Sequence, residues 1–326
     1  MSELYPLKFE TIFKEKLWGG QKIKTILGKD FGSLENCGET WELSGVSGNV
    51  SVVSDGPLKN KLLSDLVEEY REELVGKSIY SHYSNEFPLL IKFIDANQDL
   101  SVQVHPDDEL ANQRHNCPGK SEMWYVIQSD EGSSLINGFS KDTNKQEYLE
   151  YFQSGRILEL LESVQVEKGD AYFLPAGRVH TIGKGLFIAE IQQTSDITYR
   201  IYDFDRVDKD GNQRELHTDL ALDALDFTKP TKVKSEYSKV KNQANQVVSS
   251  KFFTTNKLIV DSKLEIDRSQ LDCFKIYIGI GGKGKIADES IQLGEVLLVP
   301  ASIKNYQIEP EGELALLETY IDASIA

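Results

Sequence analysis

The sequence predicts a mainly β protein: two related β-barrels, with helical insertions in and around the first. Three observations carry this. Short segments rich in β-branched and aromatic residues, such as SSLINGF, DAYFLP, GLFIAEIQ and TYRIYDF, recur between Gly, Pro, Asp and Ser. Residues 251–326 read almost wholly as such strands, among them KLIV, FKIYIGI, VLLVP and ALLETYI. The run Gly169-Asp-Ala-Tyr-Phe-Leu-Pro175-Ala176 is echoed by Gly294-Glu-Val-Leu-Leu-Val-Pro300-Ala301. Each copy is a turn glycine, an acidic residue, a buried strand and a Pro-Ala corner.

Helical period interrupts the strands in three places. Residues 59–76 place Leu62, Leu66, Tyr70 and Leu74 four apart, a single apolar stripe faced by charge. Residues 145–162 carry Leu149, Phe152, Leu158 and Leu161. A third helix is expected from Thr218, an N-cap residue type, with Leu222 and Leu225 on its buried side. The stretch 229–250 is polar, Lys-rich and without apolar period, and reads as a linker. At roughly 150 residues per domain, a chain of 326 residues accommodates two. The expected division is 1–235, carrying the chemistry, and 236–326, a barrel with Ser-Ile-Lys-Asn-Tyr where the first copy has Gly177-Arg178-Val179-His180.

The balance of 52 acidic against 36 basic residues gives a formal charge of −16. That excludes general binding to nucleic acid or to an anionic membrane surface, since both attract Lys/Arg patches. A phosphorylated substrate needs only a local cluster of positive charge. No apolar run approaches the 18 or so residues of a membrane helix, and the first residues, MSELYPLKFETIF, lack a secretory pattern. Three distant cysteines, Cys37, Cys117 and Cys273, fit neither a disulfide framework nor a CxxC site. A cytoplasmic protein is expected.

Chemistry concentrates at two of the five histidines. In LSVQVHPDD, Gln103 and His105 lie two apart and share a strand face; in GKSEMWYVIQ the same period aligns Lys120, Glu122 and Trp124. His180 ends Gly169-x5-Pro175-x-Gly177-x2-His180, a strand turned sharply through Pro and Gly before offering an imidazole. Two imidazoles, one carboxylate and one amide carbonyl form a mixed N/O site for a divalent cation, which keeps a net positive charge and suits a Lewis acid. His82, His115 and His217 are left as ordinary surface or core histidines.

The Gly-x5-Pro-x-Gly-x2-His run resembles the second motif of the cupin barrels, with Lys184 in place of a distal Asn. Together with QVHPDD, GKSEMWYV, PAGRVHTIG, IAEIQQTSDITYRIYDFDR, FKEKLWGG and GETWELSG, it resembles the type I mannose-6-phosphate isomerase family in its short bacterial form. The resemblance implies two cupin-like jelly-roll barrels and one zinc ion held by Gln103, His105, Glu122 and His180. It implies a functional lysine at Lys120, and an acidic residue and an arginine ten apart on the later strand at Glu190 and Arg200. Longer relatives carry His-Lys-Pro-Glu where this chain reads Gly119-Lys120-Ser121-Glu122, so a ring-opening role for that histidine has to fall elsewhere.

The implied reaction interconverts mannose 6-phosphate and fructose 6-phosphate, moving a proton between adjacent carbons through an enediol(ate). It needs a base, a stabiliser for the developing oxyanion and an anchor for the phosphate. Lys120 and Glu190 compete for the base; Arg200, Lys120 and Arg178 are the candidate substrate contacts. Two other readings compete: a non-catalytic sugar-phosphate sensor on the same barrel, and a non-haem iron oxygenase using two His and one carboxylate. Gln103 and the surrounding Lys/Arg charge count against the second.

Overall fold

The structure, a computed structural model, describes residues 3–208 and 210–322. The chain divides into two compact units, one comprising Phe13–Thr40 and Lys92–Ser235, the other Met1–Ile12, Trp41–Ile91 and Glu236–Ala326. One of these breaks falls between residues 235 and 236, and residues 41–91 group with the C-terminal strands.

The strands to the end of the first unit are β1 (Ile12–Lys14), β2 (Glu39–Leu43), β3 (Leu89–Asp95), β4 (Val102–Val104), β5 (Glu122–Ser129) and β6 (Ser134–Phe139). They continue as β7 (Leu161–Gln165), β8 (Ala171–Leu174), β9 (His180–Ile182), β10 (Leu186–Gln193) and β11 (Tyr199–Tyr202). One sheet runs β1-β2-β3-β10-β5-β8 and a second β11-β4-β9-β6-β7. Their facing surfaces meet in an apolar core: Ile94, Trp124, Val126, Tyr172, Leu174 and Ile188 from one side, Leu135 and Ile182 from the other. The outer face of the second sheet buries Val102, Val104, Phe139, Tyr199 and Ile201 against Tyr148 and Ala221 of the helices Lys145–Gln153 and Thr218–Ala224. Alternation therefore sends Val102 and Val104 toward the helices and Gln103 inward, and likewise Tyr199 and Ile201 outward of Arg200.

The C-terminal strands are β12 (Asn245–Ser249), β13 (Thr254–Val260), β14 (Leu264–Asp267), β15 (Lys275–Gly281) and β16 (Lys283–Ile286), then β17 (Glu289–Gln292), β18 (Val296–Val299), β19 (Asn305–Pro310) and β20 (Leu314–Tyr320). They form two sheets, β12-β13-β20-β15-β18 and β14-β19-β16-β17, around a core of Leu258, Tyr277, Leu297, Leu316, Ile291 and Ile308. The strand order repeats that of the first unit: 3-10-5-8 and 4-9-6-7 return as 13-20-15-18 and 14-19-16-17. The octapeptide echo lies on corresponding edge strands, β8 and β18, and both opening glycines have positive φ, 90° at Gly169 and 87° at Gly294. The fold is mainly β, as expected. The four sheets stay separate in hydrogen bonding, so each unit is an open sandwich of two sheets rather than a closed barrel.

The helices depart from expectation at their breaks. The stripe at 59–76 resolves into Leu63–Tyr70 and Glu72–Val75, divided at Arg71, whose φ of 46° is left-handed; Leu62 stays extended and exposed. The 145–162 helix stops at Gln153 ahead of Gly155 at positive φ, and the chain continues as a 3-10 turn and then β7. Thr218 is the first helical residue and His217 the cap position, without a capping side-chain bond. Asn245–Ser249 of the expected linker adds to the C-terminal sheet as β12. Helix Asp108–His115 has no apolar stripe to betray it, since only Ala111 is buried; Asp107 caps its start by accepting from Leu110 N–H, and Asn116 closes it in the left-handed region.

Gly183 is sterically dictated. A Cβ on Gly183, just after β9, would lie 1.9 Å from the Ser134 carbonyl oxygen. Gly183→Ala is expected to cost about 1–3 kcal/mol through overpacking, read as a lowered urea midpoint. An unchanged midpoint would contradict the close approach.

Candidate metal centre

Three strands bring the site's first residues into one row. Arg200 of β11 is paired with Gln103 of β4, and Gln103 with His180 of β9. Directly opposed residues share a face, so all three point into the sandwich. Glu122 enters from the opposite sheet as the first residue of β5, flanked by Leu174 and Gln192. His105 follows β4 by one residue. Ligand atoms of His105, Glu122 and His180 all lie within 4.8 Å of one another, and among the described residues this is the group that could hold a metal ion.

The imidazoles are already oriented for it. His105 Nδ1 lies 2.8 Å from the Ile197 carbonyl and His180 Nδ1 2.7 Å from the Arg178 carbonyl. A carbonyl only accepts, so each Nδ1 carries the proton and each Nε2 is left with its lone pair. Both Nε2 atoms face the Glu122 carboxylate, at 3.4 and 3.3 Å. Burial, reinforced at His105 by the Lys120 charge, depresses both imidazoles, His105 to about 4. Burial opposes ionisation of Glu122, but Lys120 and then His105 outweigh it and hold the carboxyl well below its usual range. Two neutral lone pairs and a carboxylate converge here and call for a cation among them; in this structure the Lys120 ammonium supplies that charge between Glu122 and His105 Nε2. The donor set therefore fits a divalent metal, with the carbonyl bonds orienting the ligands.

The depressed imidazole has a consequence for stability. Because the unfolded chain protonates His105 near 6.5 and the folded chain only near 4, the unfolded state binds the proton first as pH falls. Chelator-treated protein is expected to keep this contribution above pH 6.5 and lose it progressively down to about 4. Urea midpoints across that window measure it; no fall there would contradict the neutral, buried imidazole.

The other expected residues separate into two groups. Lys120 lies beside the ligands, 3.0 Å from His105 Nε2 and ion-paired with Glu122. Gln103 has its side-chain amide 3.3 Å from His180 Nε2, and rotation of the amide can present its oxygen instead. Arg200 donates from Nη1 to the Glu215 carbonyl at 2.7 Å, while its buried Nε has no partner. Arg178 is turned to Asn137, at 3.2 Å. Glu190 pairs with neither Lys120 nor Arg200. Its two oxygens accept from Lys92 Nζ at 3.1 Å and Trp124 Nε1 at 2.8 Å, all three residues buried. Nor do Glu190 and Arg200 share a later strand: β10 and β11 belong to different sheets.

Residues 6–131 match the model of the phosphomannose isomerase type I catalytic domain. A mannose-6-phosphate isomerase of Streptococcus mutans is 36% identical over 97% of this chain and 98% of its own length. The crystal structure of the mannose 6-phosphate isomerase from Bacillus subtilis superposes with a TM-score of 0.87 at 32% identity, covering 97% of this chain and 99% of that one. The chain belongs to the type I mannose-6-phosphate isomerase family. A putative mannosephosphate isomerase from Archaeoglobus fulgidus, 21% identical with a TM-score of 0.76 over 97% of each chain, shares the fold.

Within this isomerase framework, the residue the sequence reading missed is Lys92. Its signal was a lone charge in the apolar run LLIKFI, since a buried lysine requires a partner. That partner is Glu190: burial acts to depress the ammonium, but the charge and hydrogen bond of Glu190 together with the charges of Glu39 and Glu122 outweigh it and hold it raised. Trp124 ties the pair to the metal group: its indole packs edge-on to the His180 ring, centroids 5.4 Å apart. Position 119, where longer isomerases of the family carry histidine, has no room for a side chain, because a Cβ there would lie 2.5 Å from the Asp107 carbonyl carbon.

Proposed function

We propose that this chain is a cytoplasmic, zinc-dependent isomerase that interconverts mannose 6-phosphate and fructose 6-phosphate. The observation that carries the reading is the buried His105–Glu122–His180 group with both Nδ1 atoms committed to backbone carbonyls. Gln103 completes the proposed ligand set. Zinc held by these residues would supply Lewis-acid polarisation of the substrate's carbonyl. The unit carrying β4, β5 and β9 is catalytic, and the C-terminal sandwich lacks ligands for a metal among its described residues.

Lys120 moves the proton. In its amine form it takes a proton from the carbon beside the carbonyl; the C–H electron pair becomes the enediolate double bond and the carbonyl π pair passes to its oxygen. The ammonium then returns the proton to the former carbonyl carbon while the hydroxyl proton passes from the second oxygen to the first, so that the carbonyl re-forms on the neighbouring carbon. Glu190 is the weaker candidate for the base because both its oxygens are engaged. Its proposed role is to fix Lys92 and Trp124 against the ligand group. Arg200, with an unpartnered Nε–H in line with Gln103 and His180, meets an anionic oxygen of the substrate. Arg178 is the remaining candidate for a substrate contact, through the corner that holds His180. Support for the cytoplasm comes from three cysteines that form no disulfide; no described helix is long and apolar enough to cross a membrane.

A coupled assay on chelated and metal-reconstituted protein tests the reading. Turnover of mannose 6-phosphate restored by zinc or another divalent metal is expected; binding of fructose 6-phosphate without conversion under any metal would favour the sensor and overturn it.

A further inference from the structure

β11 is the edge strand of its sheet, and an edge strand's outward N–H and C=O groups are ordinarily left to water. At Arg200 both are taken by one residue. The Arg200 main-chain N–H donates to His217 Nδ1 at 3.1 Å, and the His217 main-chain N–H donates to the Arg200 carbonyl at 2.7 Å. Two residues earlier, the Glu215 carbonyl accepts from Arg200 Nη1. Segment 215–217 thus grips Arg200 at backbone nitrogen, backbone oxygen and guanidinium.

We infer that His217 is a positioning residue that sets Arg200 in the row with Gln103 and His180. The inference rests on the proposed role of Arg200 as the contact for the substrate's anionic oxygen. His217 occupies the cap position of helix Thr218–Ala224, yet its ring makes no capping bond and is directed to the strand instead. Accepting through Nδ1 requires the neutral ring with its proton on Nε2. That form is favoured: burial and then the Arg200 charge hold the imidazole below its ordinary value, with Glu215 opposing. The Tyr199 ring, 6.3 Å away between centroids, flanks it on β11. A guanidinium freed from this grip sweeps several rotamers, and misplacement of about 1 Å costs up to about 100-fold in rate.

The test uses metal-loaded full-length protein. His217→Ala is expected to lower kcat/KM for mannose 6-phosphate by about tenfold with metal content unchanged, in whichever of KM or kcat Arg200→Lys also moves. His217→Asn, whose Oδ1 falls near the position of Nδ1, should restore most of the loss. In an Arg200→Lys background His217→Ala should add little, because it acts through Arg200. A full loss in that background, or no rescue by Asn, would overturn the inference. Should His217→Ala fail to fold, nitrogen-15 shifts of the wild-type ring still decide: an unprotonated, hydrogen-bonded Nδ1 is expected, and a proton on Nδ1 overturns the clamp. Wild-type protein without isomerase activity would instead defeat the functional reading, leaving the ring-nitrogen result to stand or fall separately.

Discussion

Glu122→Gln is expected to release the metal and to destabilise the fold at the same time. Glu122 is the one anion in the proposed ligand set, fully buried, and the partner of the buried Lys120 ammonium. Partners that merely orient a ligand are worth about 10–100-fold in metal affinity, so loss of a direct anionic ligand should exceed that. The orphaned ammonium is a second penalty, about 3–5 kcal/mol for a broken buried pair. Metal content after dialysis and the urea midpoint should both fall. A variant that keeps one equivalent of metal and wild-type stability would mean that Glu122 is neither ligand nor counter-ion.

Lys120→Met separates chemistry from metal binding. With metal loaded, the cation takes over compensation of Glu122, so the variant should fold and retain its ion. General acid–base groups contribute about 100- to 10,000-fold, and kcat should fall within that range while KM changes little. Steady-state kinetics on metal-loaded variant and wild type measure this. Near-normal kcat would move the proton transfer away from Lys120 and return attention to Glu190, whose Gln variant should otherwise act chiefly on stability by removing the carboxylate charge paired with Lys92.

How far the sequence reached depended on the range over which each constraint acts. Period-2 parity is a property of one strand, and it placed Gln103 with His105 correctly on the inward side. The Gly-Pro-Gly corner before His180 was legible because φ is fixed locally, with Gly177 at 87°. The eight-residue echo marked equivalent edge strands, since turn glycine and Pro-Ala corner are local demands repeated in both sandwiches. What failed needed partners distant in the chain. Arg71 breaks a helix whose apolar stripe runs on past it, and helix Asp108–His115 is held by caps rather than by a buried face. Glu190 and Arg200 read as one strand because the turn between β10 and β11 shows no sequence sign of changing sheets. Lys92 lies within an apolar run, its counter-charge 98 residues away. His217 was set aside because a single imidazole carries no pattern, and its partner is a backbone amide seventeen residues upstream.

X-ray diffraction from crystals of metal-loaded protein, recorded at the absorption edge of the metal, tests most directly whether one divalent cation lies among His105, Glu122 and His180. One anomalous peak is predicted, about 2.0–2.2 Å from both Nε2 atoms and from a Glu122 oxygen. A peak elsewhere, or none at full metal loading, would contradict that placement.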